Sequence, residues 1–295
     1  MVQFSIIIPL YNKESAIRET LDSILNQSYG NYEILVIDDG SRDKSAEIVN
    51  SIQDGRIRYI KKENGGVSSA RNFGICHATN PWLLFLDADD LMEGDALETF
   101  VKLMRLRPGY KIYQGNMWLS QCLRCKTVDK FVNISENPFK DWWKMILAPE
   151  MGTFVMHESL VSQVGLFNEK LSCFEDLEYT SRLMEHETFV YTSKPVKVYR
   201  EEYCVLSVVP QPIEKEFAYH MTKESVRGSF WKEMVLAFNV WDTRRHRKMH
   251  GDNEGVEYYT RQLSRLFPWY INLYFKYKDC RQALGEWRRH QNKNG

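Results

Sequence analysis

The densest chemistry in this sequence lies at Asp87-Ala88-Asp89-Asp90, where three carboxylates crowd the end of an apolar run, Trp82 to Leu86. Like charges so close raise the cost of ionising one another, and a strand end does not need them for folding. A hard cation, Mn2+ or Mg2+, relieves that repulsion. Such ions take one or two carboxylates and complete their octahedron with substrate phosphates and water. A second pair, Asp38-Asp39, ends another apolar run, Glu33 to Ile37. A carboxylate there can accept a hydrogen bond from a nucleobase N–H or a ribose hydroxyl. An Asp-Gly turn followed by a helix cap accounts for Asp39-Gly40-Ser41 as well, so this pair gains its meaning from the other cluster. Together the two favour a nucleotide and a metal at one sheet edge. A third pair, Glu175-Asp176, opens a helical pattern running from about Asp176 to Glu187. The helix dipole there favours an ionised carboxylate, suited either to capping or to taking a proton from a hydroxyl nucleophile.

The elements that must position these groups alternate in type. Residues 4–10 form a continuous apolar run, as expected for a strand covered on both faces. A helical pattern from about Ser15 to Asn26 places Ile17, Leu21, Ile24 and Leu25 on one face. After the Glu33–Ile37 strand, Ser41 or Asp43 can cap a helix carrying Ile48 and Ile52. Residues 56–62 alternate like a half-exposed strand, Gly65-Gly66 precede a helix over 67–77, and 82–86 read as a buried strand. This spacing predicts an α/β architecture with a doubly wound, mainly parallel sheet flanked by helices. Ligands of such sheets bind beyond the carboxyl ends of the strands. Tyr11-Asn12, Asp38-Asp39 and Asp87 to Asp90 all stand at such ends. Past residue 100 the pattern loosens, and 110–150 hold Trp118, Trp142 and Trp143 among short mixed segments. From about Ile213 the sequence reads as a helical, aromatic and basic C-terminal extension. The divisions are therefore 1–100, 101–212 and 213–295.

Several linked motifs then resemble one family. In order and spacing, Ile8-Pro9-Leu10-Tyr11-Asn12, Val36-Ile37-Asp38-Asp39-Gly40-Ser41, Asn64-Gly65-Gly66 with Ala70-Arg71-Asn72, and Phe85-Leu86-Asp87-Ala88-Asp89-Asp90 are similar to family-2 glycosyltransferases of the GT-A fold. The resemblance continues through Gly165-Leu166-Phe167-Asn168-Glu169, Phe174-Glu175-Asp176-Leu177-Glu178 and Arg182-Leu183. It implies an inverting, metal-dependent hexosyltransferase using Mn2+ or Mg2+. The donor it implies is a nucleotide-diphosphate sugar, UDP-linked in the first instance. The acceptor it implies is a glycan or glycolipid hydroxyl in surface polysaccharide or lipopolysaccharide synthesis.

By the same resemblance, 1–100 is the nucleotide-sugar-binding half and 101–212 the acceptor-binding half. Pro9, Tyr11 and Asp39 hold the nucleobase with Asp38 beside them, and Arg71 lies near the diphosphate. Asp87 contacts ribose or donor sugar and shares the metal with Asp89. Asp176, with Glu175 beside it, is the general base. One departure stands out. Many relatives carry a His just after a Tyr-Arg pair, whereas Tyr199-Arg200 here runs into Glu201-Glu202-Tyr203, leaving Arg200 as the candidate phosphate contact.

Charge and composition bound the remaining choices. Over 295 residues, 39 Lys and Arg balance 39 Asp and Glu, yet residues 1–100 hold 16 acids against 9 bases. An acidic half suits a metal, and a basic end suits phosphate or an anionic membrane surface. From Arg261 onward eight basic residues face two acidic ones, interleaved with Phe267, Trp269, Tyr270, Leu273, Tyr274 and Tyr277. Such a segment can lie in a membrane interface or pack on the protein. No recognised nucleic-acid module accompanies it. The N-terminus lacks a basic, signal-like leader, and no stretch approaches the ~18 apolar residues of a spanning helix. The expected location is the cytoplasm, free or peripheral on the inner face of the membrane. The six cysteines are scattered, and Cys122-x-x-Cys125 lacks the second pair that a zinc site needs. A sugar-phosphate nucleotidyltransferase would want a Gly-rich basic loop after the first strand, where this chain has Tyr11-Asn12-Lys13-Glu14. A non-catalytic sugar-nucleotide-binding relative would show broken acidic motifs, and these are intact.

Overall fold

The computed structural model describes residues 1–119, 122–127, 130–200 and 211–279, and the chain divides into two compact units, Met1–Val208 and Val209–Gly295. Strands of the first unit are β1 (Phe4–Leu10), β2 (Tyr32–Asp38), β3 (Ile57–Lys61), β4 (Trp82–Phe85) and β5 (Leu91–Met92). They continue with β6 (Ile112–Leu119), β7 (Cys122–Leu123), β8 (Asn133–Ser135), β9 (Phe154–His157) and β10 (Phe189–Tyr199). Its helices are α1 (Ile17–Leu25), α2 (Ser45–Asn50), α3 (Val67–His77), α4 (Ala96–Leu106), α5 (Pro138–Trp143), α6 (Val161–Val164) and α7 (Glu175–His186).

These strands make one ten-stranded sheet in the order β3-β2-β1-β4-β9-β6-β10-β5, with β7 on β6 and β8 on β10. Strand β1 pairs in parallel with β2 and β4, β2 with β3, and β10 with β6. The antiparallel pairings are shorter and involve β5, β7, β8 and β9. A mostly parallel mixed sheet flanked by helices results, as the alternation of elements requires.

The apolar run of β1 has two faces to fill, and both are covered. Phe4, Ile6, Ile8 and Leu10 cluster with Ile17, Leu21 and Ile24 of α1 and with Leu97 and Phe100 of α4. Ile7 points the other way, onto α3, which approaches so closely that a Cβ on Gly74 would lie 2.3 Å from Ile7 Cγ2. Only a glycine admits that contact. The helix after β2 is shorter than the pattern implies, ending at Asn50, and Ser41 does not cap it. Asp43 Oδ1 accepts from Ser45 N–H at 3.0 Å, and Ser41 Oγ instead accepts from Asn12 N–H at 3.1 Å.

The loosened stretch conceals β6, an interior strand between β9 and β10. Its polar members Gln114 and Asn116 are buried, which breaks the apolar periodicity. Asn116 compensates by bonding both backbone groups of Cys125, each at 3.0 Å. In β10 the register shifts on either side of Pro195, the irregularity expected where proline enters a strand.

The second unit contains α8 (Phe217–His220), α9 (Lys223–Val226), α10 (Phe230–Met249) and α11 (Asn253–Leu266), followed by helical residues 269–279. A buried ion pair organises it: Glu216 accepts from Arg247 Nε at 3.1 Å and from Tyr259 Oη at 2.5 Å, while Arg247 Nη2 donates to Gln211 O at 2.6 Å. Among the described residues, no helix is long and apolar enough to cross a membrane.

Replacing Gly74 with Ala should cost about 1–3 kcal/mol of stability through overpacking against Ile7. That cost should shrink in an Ile7→Ala background, because the clashing methyl is gone. A double-mutant cycle by urea denaturation reads the coupling; additive effects would place the strain elsewhere.

Candidate active site

Helix α3 ties the acidic clusters together. Its approach, Asn64-Gly65-Gly66, is held by Asp39: Oδ1 accepts from Gly65 N–H (3.0 Å) and Lys62 Nζ (2.5 Å), and Oδ2 from Gly66 N–H (2.7 Å). Gly66 enters the helix at φ +88°, where a side chain would be strained. Further along α3, Arg71 donates from Nη2 to Asp87 Oδ1 at 2.8 Å and from Nη1 to Glu175 Oε1 at 3.0 Å. It is only 2% exposed, and its guanidinium carbon stands 5.4 Å from the Phe167 ring centre. Burial opposes its charge, but Asp87, Glu175 and Asp176 outweigh burial and raise its pKa.

The neighbouring Asn72 fixes the chain that delivers α7. Its Nδ2 donates to Phe167 O (3.0 Å) and Glu169 Oε1 (2.8 Å), and its Oδ1 accepts from Phe167 N–H (2.8 Å). Phe167 stacks on Tyr179 of α7 at 3.9 Å. Arg182 donates to the carbonyl oxygens of Val164 and Leu166. The 165–169 motif and Arg182 therefore serve the site by seating α7 beside α3.

At the end of β4, each carboxylate has its own cation. Asp87 has Arg71, Asp89 has Lys13 from the turn after β1, and Asp90 has Lys197 from β10 at 2.5 Å. The repulsion expected to call for a metal is thus already offset by three side chains. Burial works against ionised Asp87, yet Arg71, then Lys197 and Lys13, hold it below the usual carboxylate range. Burial pushes Asp90 up to about 6, still ionised at neutral pH. Burial also disfavours the Lys197 charge, but Asp90 and Asp87 prevail and raise its pKa. Among the described residues, no group of three or more His, Cys, Asp or Glu could hold a metal alone. Asp87 and Asp89 keep side-chain exposures of 36% and 16%. They suit a cation that takes two carboxylates and fills its shell with phosphate and water, rather than an all-protein cage.

The third cluster departs from the dipole argument. Phe174 precedes α7 at φ +59°, a conformation costly for a bulky residue. Asp176 Oδ1 accepts from Leu177 N–H at 2.7 Å. Even so, burial, Glu175 and Glu150 push the Asp176 carboxyl up to about 7, against the pull of Arg71 and of that N–H. The helix start does not keep it firmly ionised; it is poised near neutrality, where a general base works best.

The other expected residues divide between open and enclosed. Tyr11 is 46% exposed and Pro9 is half-buried. Asp38 is fully buried, and its oxygens accept from Ser41 N–H (2.7 Å) and Tyr59 Oη (2.5 Å). It holds the turn and does not present a ligand contact. Arg200 is also redirected: Nε donates to Asp89 O at 2.6 Å, and the guanidinium pairs with Glu19, so it braces the acidic turn. Glu201, Glu202 and Tyr203 lie outside the described residues. Sequence reasoning passed over Lys13, Lys197 and Glu150. Lys197, flanked by Val196 and Val198 in a strand, offered the one usable signal, a charge inside an apolar run.

Residues 5–121 match the family described as Glycosyl transferase family 2. The minor teichoic acid biosynthesis protein GgaA of Bacillus subtilis (strain 168) is 33% identical over 202 residues, covering 62% of this chain and 44% of that protein. The chain spans less than two thirds of the length of the curated relatives it matches. S. aureus TarS 1-349, solved in complex with UDP, superposes with a TM-score of 0.56 at 18% identity over 90% of this chain and 70% of that one. Mannosyltransferase PcManGT from Pyrobaculum calidifontis, solved with GDP-Man and Mn2+, gives 0.56 at 18% over 93% and 83%. These likenesses establish the fold as GT-A.

Replacing Arg71 with Met strands Asp87 and Glu175 without their shared cation and should cost about 3 kcal/mol of stability. Arg71→Lys should recover only part, because a compact ammonium lacks the planar spread by which two separate guanidinium nitrogens reach Asp87 and Glu175. Urea denaturation distinguishes these outcomes; full recovery with Lys would reduce the role of Arg71 to its charge.

Proposed function

We propose, on the match of residues 5–121 to Glycosyl transferase family 2, that the chain is a family-2 glycosyltransferase and transfers a sugar from a UDP-sugar to a glycan or glycolipid hydroxyl, with inversion, in surface polysaccharide synthesis. The observation that carries this reading is the Arg71 fork, which brings the end of β4 and the start of α7 to one guanidinium. A donor diphosphate at the first and a proton acceptor at the second is the arrangement a single displacement needs.

Residues 1–100 take the nucleotide sugar and 101–212 the acceptor. Tyr11, beside Pro9, offers an exposed ring to the base. Asp39 Oδ2 accepts one protein hydrogen bond, and a carboxylate oxygen has about two lone-pair sites, so one remains for a base N–H. Arg71 and Lys13 present positive charge toward the diphosphate. Asp87 and Asp89 would hold a divalent cation, which supplies charge neutralisation for the departing diphosphate when bound.

Asp176 takes the proton of the acceptor hydroxyl as that oxygen bonds to the anomeric carbon. The bond from that carbon to the β-phosphate oxygen breaks, and the nucleoside diphosphate leaves with the electron pair. Glu175 stays on Arg71 and keeps the Asp176 carboxyl raised. UDP in the TarS complex, GDP-Man in PcManGT and the teichoic acid role in the GgaA name support the donor class and the acceptor class.

Asp176→Asn should lower turnover by about 10²–10⁴-fold, the worth of a general base, while leaving UDP affinity unchanged by calorimetry. Because the ionised carboxylate is the active form, wild-type turnover should rise tenfold per pH unit below about 7 and level off above it. Near-normal turnover in the Asn variant, or a flat profile from pH 5 to 8, would remove Asp176 as the base.

Lys13 occupies Asp89 in competition with any cation. Lys13→Met should therefore tighten binding of Mn2+ alone by about fivefold, roughly the value of one partly exposed charge pair, and Asp89→Ala should abolish it. Titration of Mn2+ by calorimetry, without nucleotide, checks both.

A further inference from the structure

Large exposed apolar side chains are mostly scattered singly among the described residues, and the second unit is the exception. Within the helical residues 269–279, Trp269 is 75% exposed, Leu273 and Tyr277 each 58%, and Tyr270 and Tyr274 flank them. Spacings of four place Trp269, Leu273 and Tyr277 on one face, with Tyr270 and Tyr274 beside it. Phe230, also exposed, stacks against Tyr270 and extends the patch.

The opposite face is already occupied. Ile271 and Phe275 are buried, and the Phe275 ring lies 5.7 Å from Trp241 of α10. Asp279 accepts from Trp241 Nε1 at 2.8 Å and from Arg244 Nη2 at 2.6 Å. Trp269, Leu273 and Tyr277 on the other face stay exposed, an apolar surface suited to a partner.

The side-chain types select that partner. Trp and Tyr join an apolar ring to a polar tip, the combination that settles at the headgroup level of a bilayer. From Tyr258 to Lys278 the sequence holds no Asp or Glu; Arg265 and Lys276 are exposed, as is Arg261, which pairs with Glu257. Beyond Asp279 it adds Arg281, Arg288, Arg289 and Lys293 against a single Glu286. Cations this frequent without interleaved acids complement an anionic surface, whereas a second copy of the same face would meet them with like charge.

We infer that the 269–277 face docks on an anionic lipid bilayer, the helix lying in the interface plane with its aromatic face turned to the acyl boundary. This goes beyond the transfer reaction and is read without nucleotide, so the two readings fail separately.

The test is co-sedimentation of the full chain with vesicles of phosphatidylglycerol and phosphatidylcholine, against phosphatidylcholine alone. Binding should require the anionic lipid and weaken as salt rises from about 0.1 to about 0.5 M. The variant Trp269→Ser/Leu273→Ser/Tyr277→Ser should bind about tenfold more weakly while its thermal unfolding stays unchanged. If that variant does not fold, Arg265→Glu/Lys276→Glu provides the same readout through charge. Absence of wild-type binding to anionic vesicles overturns the inference, as does undiminished binding by the variants. A wild-type dimer that Leu273→Arg converts to monomers, with no vesicle binding, would overturn it in favour of pairing between copies.

Discussion

One guanidinium governs the arrangement of the candidate site. Arg71 is buried, donates to Asp87 from one nitrogen and to Glu175 from another, and so ties the end of a parallel strand to the first turn of a helix far along the chain. A charge so placed is tolerable only because both forks are met by carboxylates. Those carboxylates are in turn tolerable close together only because the guanidinium lies between them. Their backbones must therefore converge at α3, and the rest of the local structure satisfies that need. Asp39 fixes the entry of α3, Gly74 lets α3 lie against β1, and Asn72 clamps the segment leading to α7.

The same charge network drives apart the environments of its acids. Asp87 is held below the ordinary carboxylate range by surrounding cations, while Asp176, nearby in the network, is pushed up to about 7. Burial acts on both in the same direction. What differs is the balance of the neighbours: Arg71, Lys197 and Lys13 around Asp87, and around Asp176 the acids Glu175 and Glu150, which outweigh Arg71. Pairs of like groups driven apart by environment are a hallmark of acid–base and charge-binding division of labour. Asp38 and Asp90 take supporting parts, one tying a turn through Ser41 and Tyr59, the other paired with Lys197 inside the sheet.

Charge compensation also changes the meaning of the acidic turn. Three adjacent carboxylates without partners would demand a metal for folding. With Arg71, Lys13 and Lys197 supplied by three other elements, the turn can fold without one. A divalent cation at Asp89 would have to displace the Lys13 ammonium paired with it.

Periodicity, apolar runs and acidic strand ends were enough to specify the alternating β/α order, the parallel strands β1 to β4, and the turns at Asp38-Asp39 and Asp87 to Asp90. These depend on local pattern: a strand covered on both faces must be apolar throughout, and Gly65-Gly66 precede a helix that Gly66 enters at positive φ. Strand β6 stayed hidden because buried Gln114 and Asn116 interrupt the run, and their compensation, the bonds from Asn116 to Cys125, is tertiary. The counter-ions Lys13 and Lys197, the inward turn of Asp38 and Arg200, and the raised carboxyl of Asp176 were likewise undecidable along the chain. Each depends on which distant charges the fold sets within a few ångströms, and electrostatic energies fall off with spatial separation, not with separation in sequence.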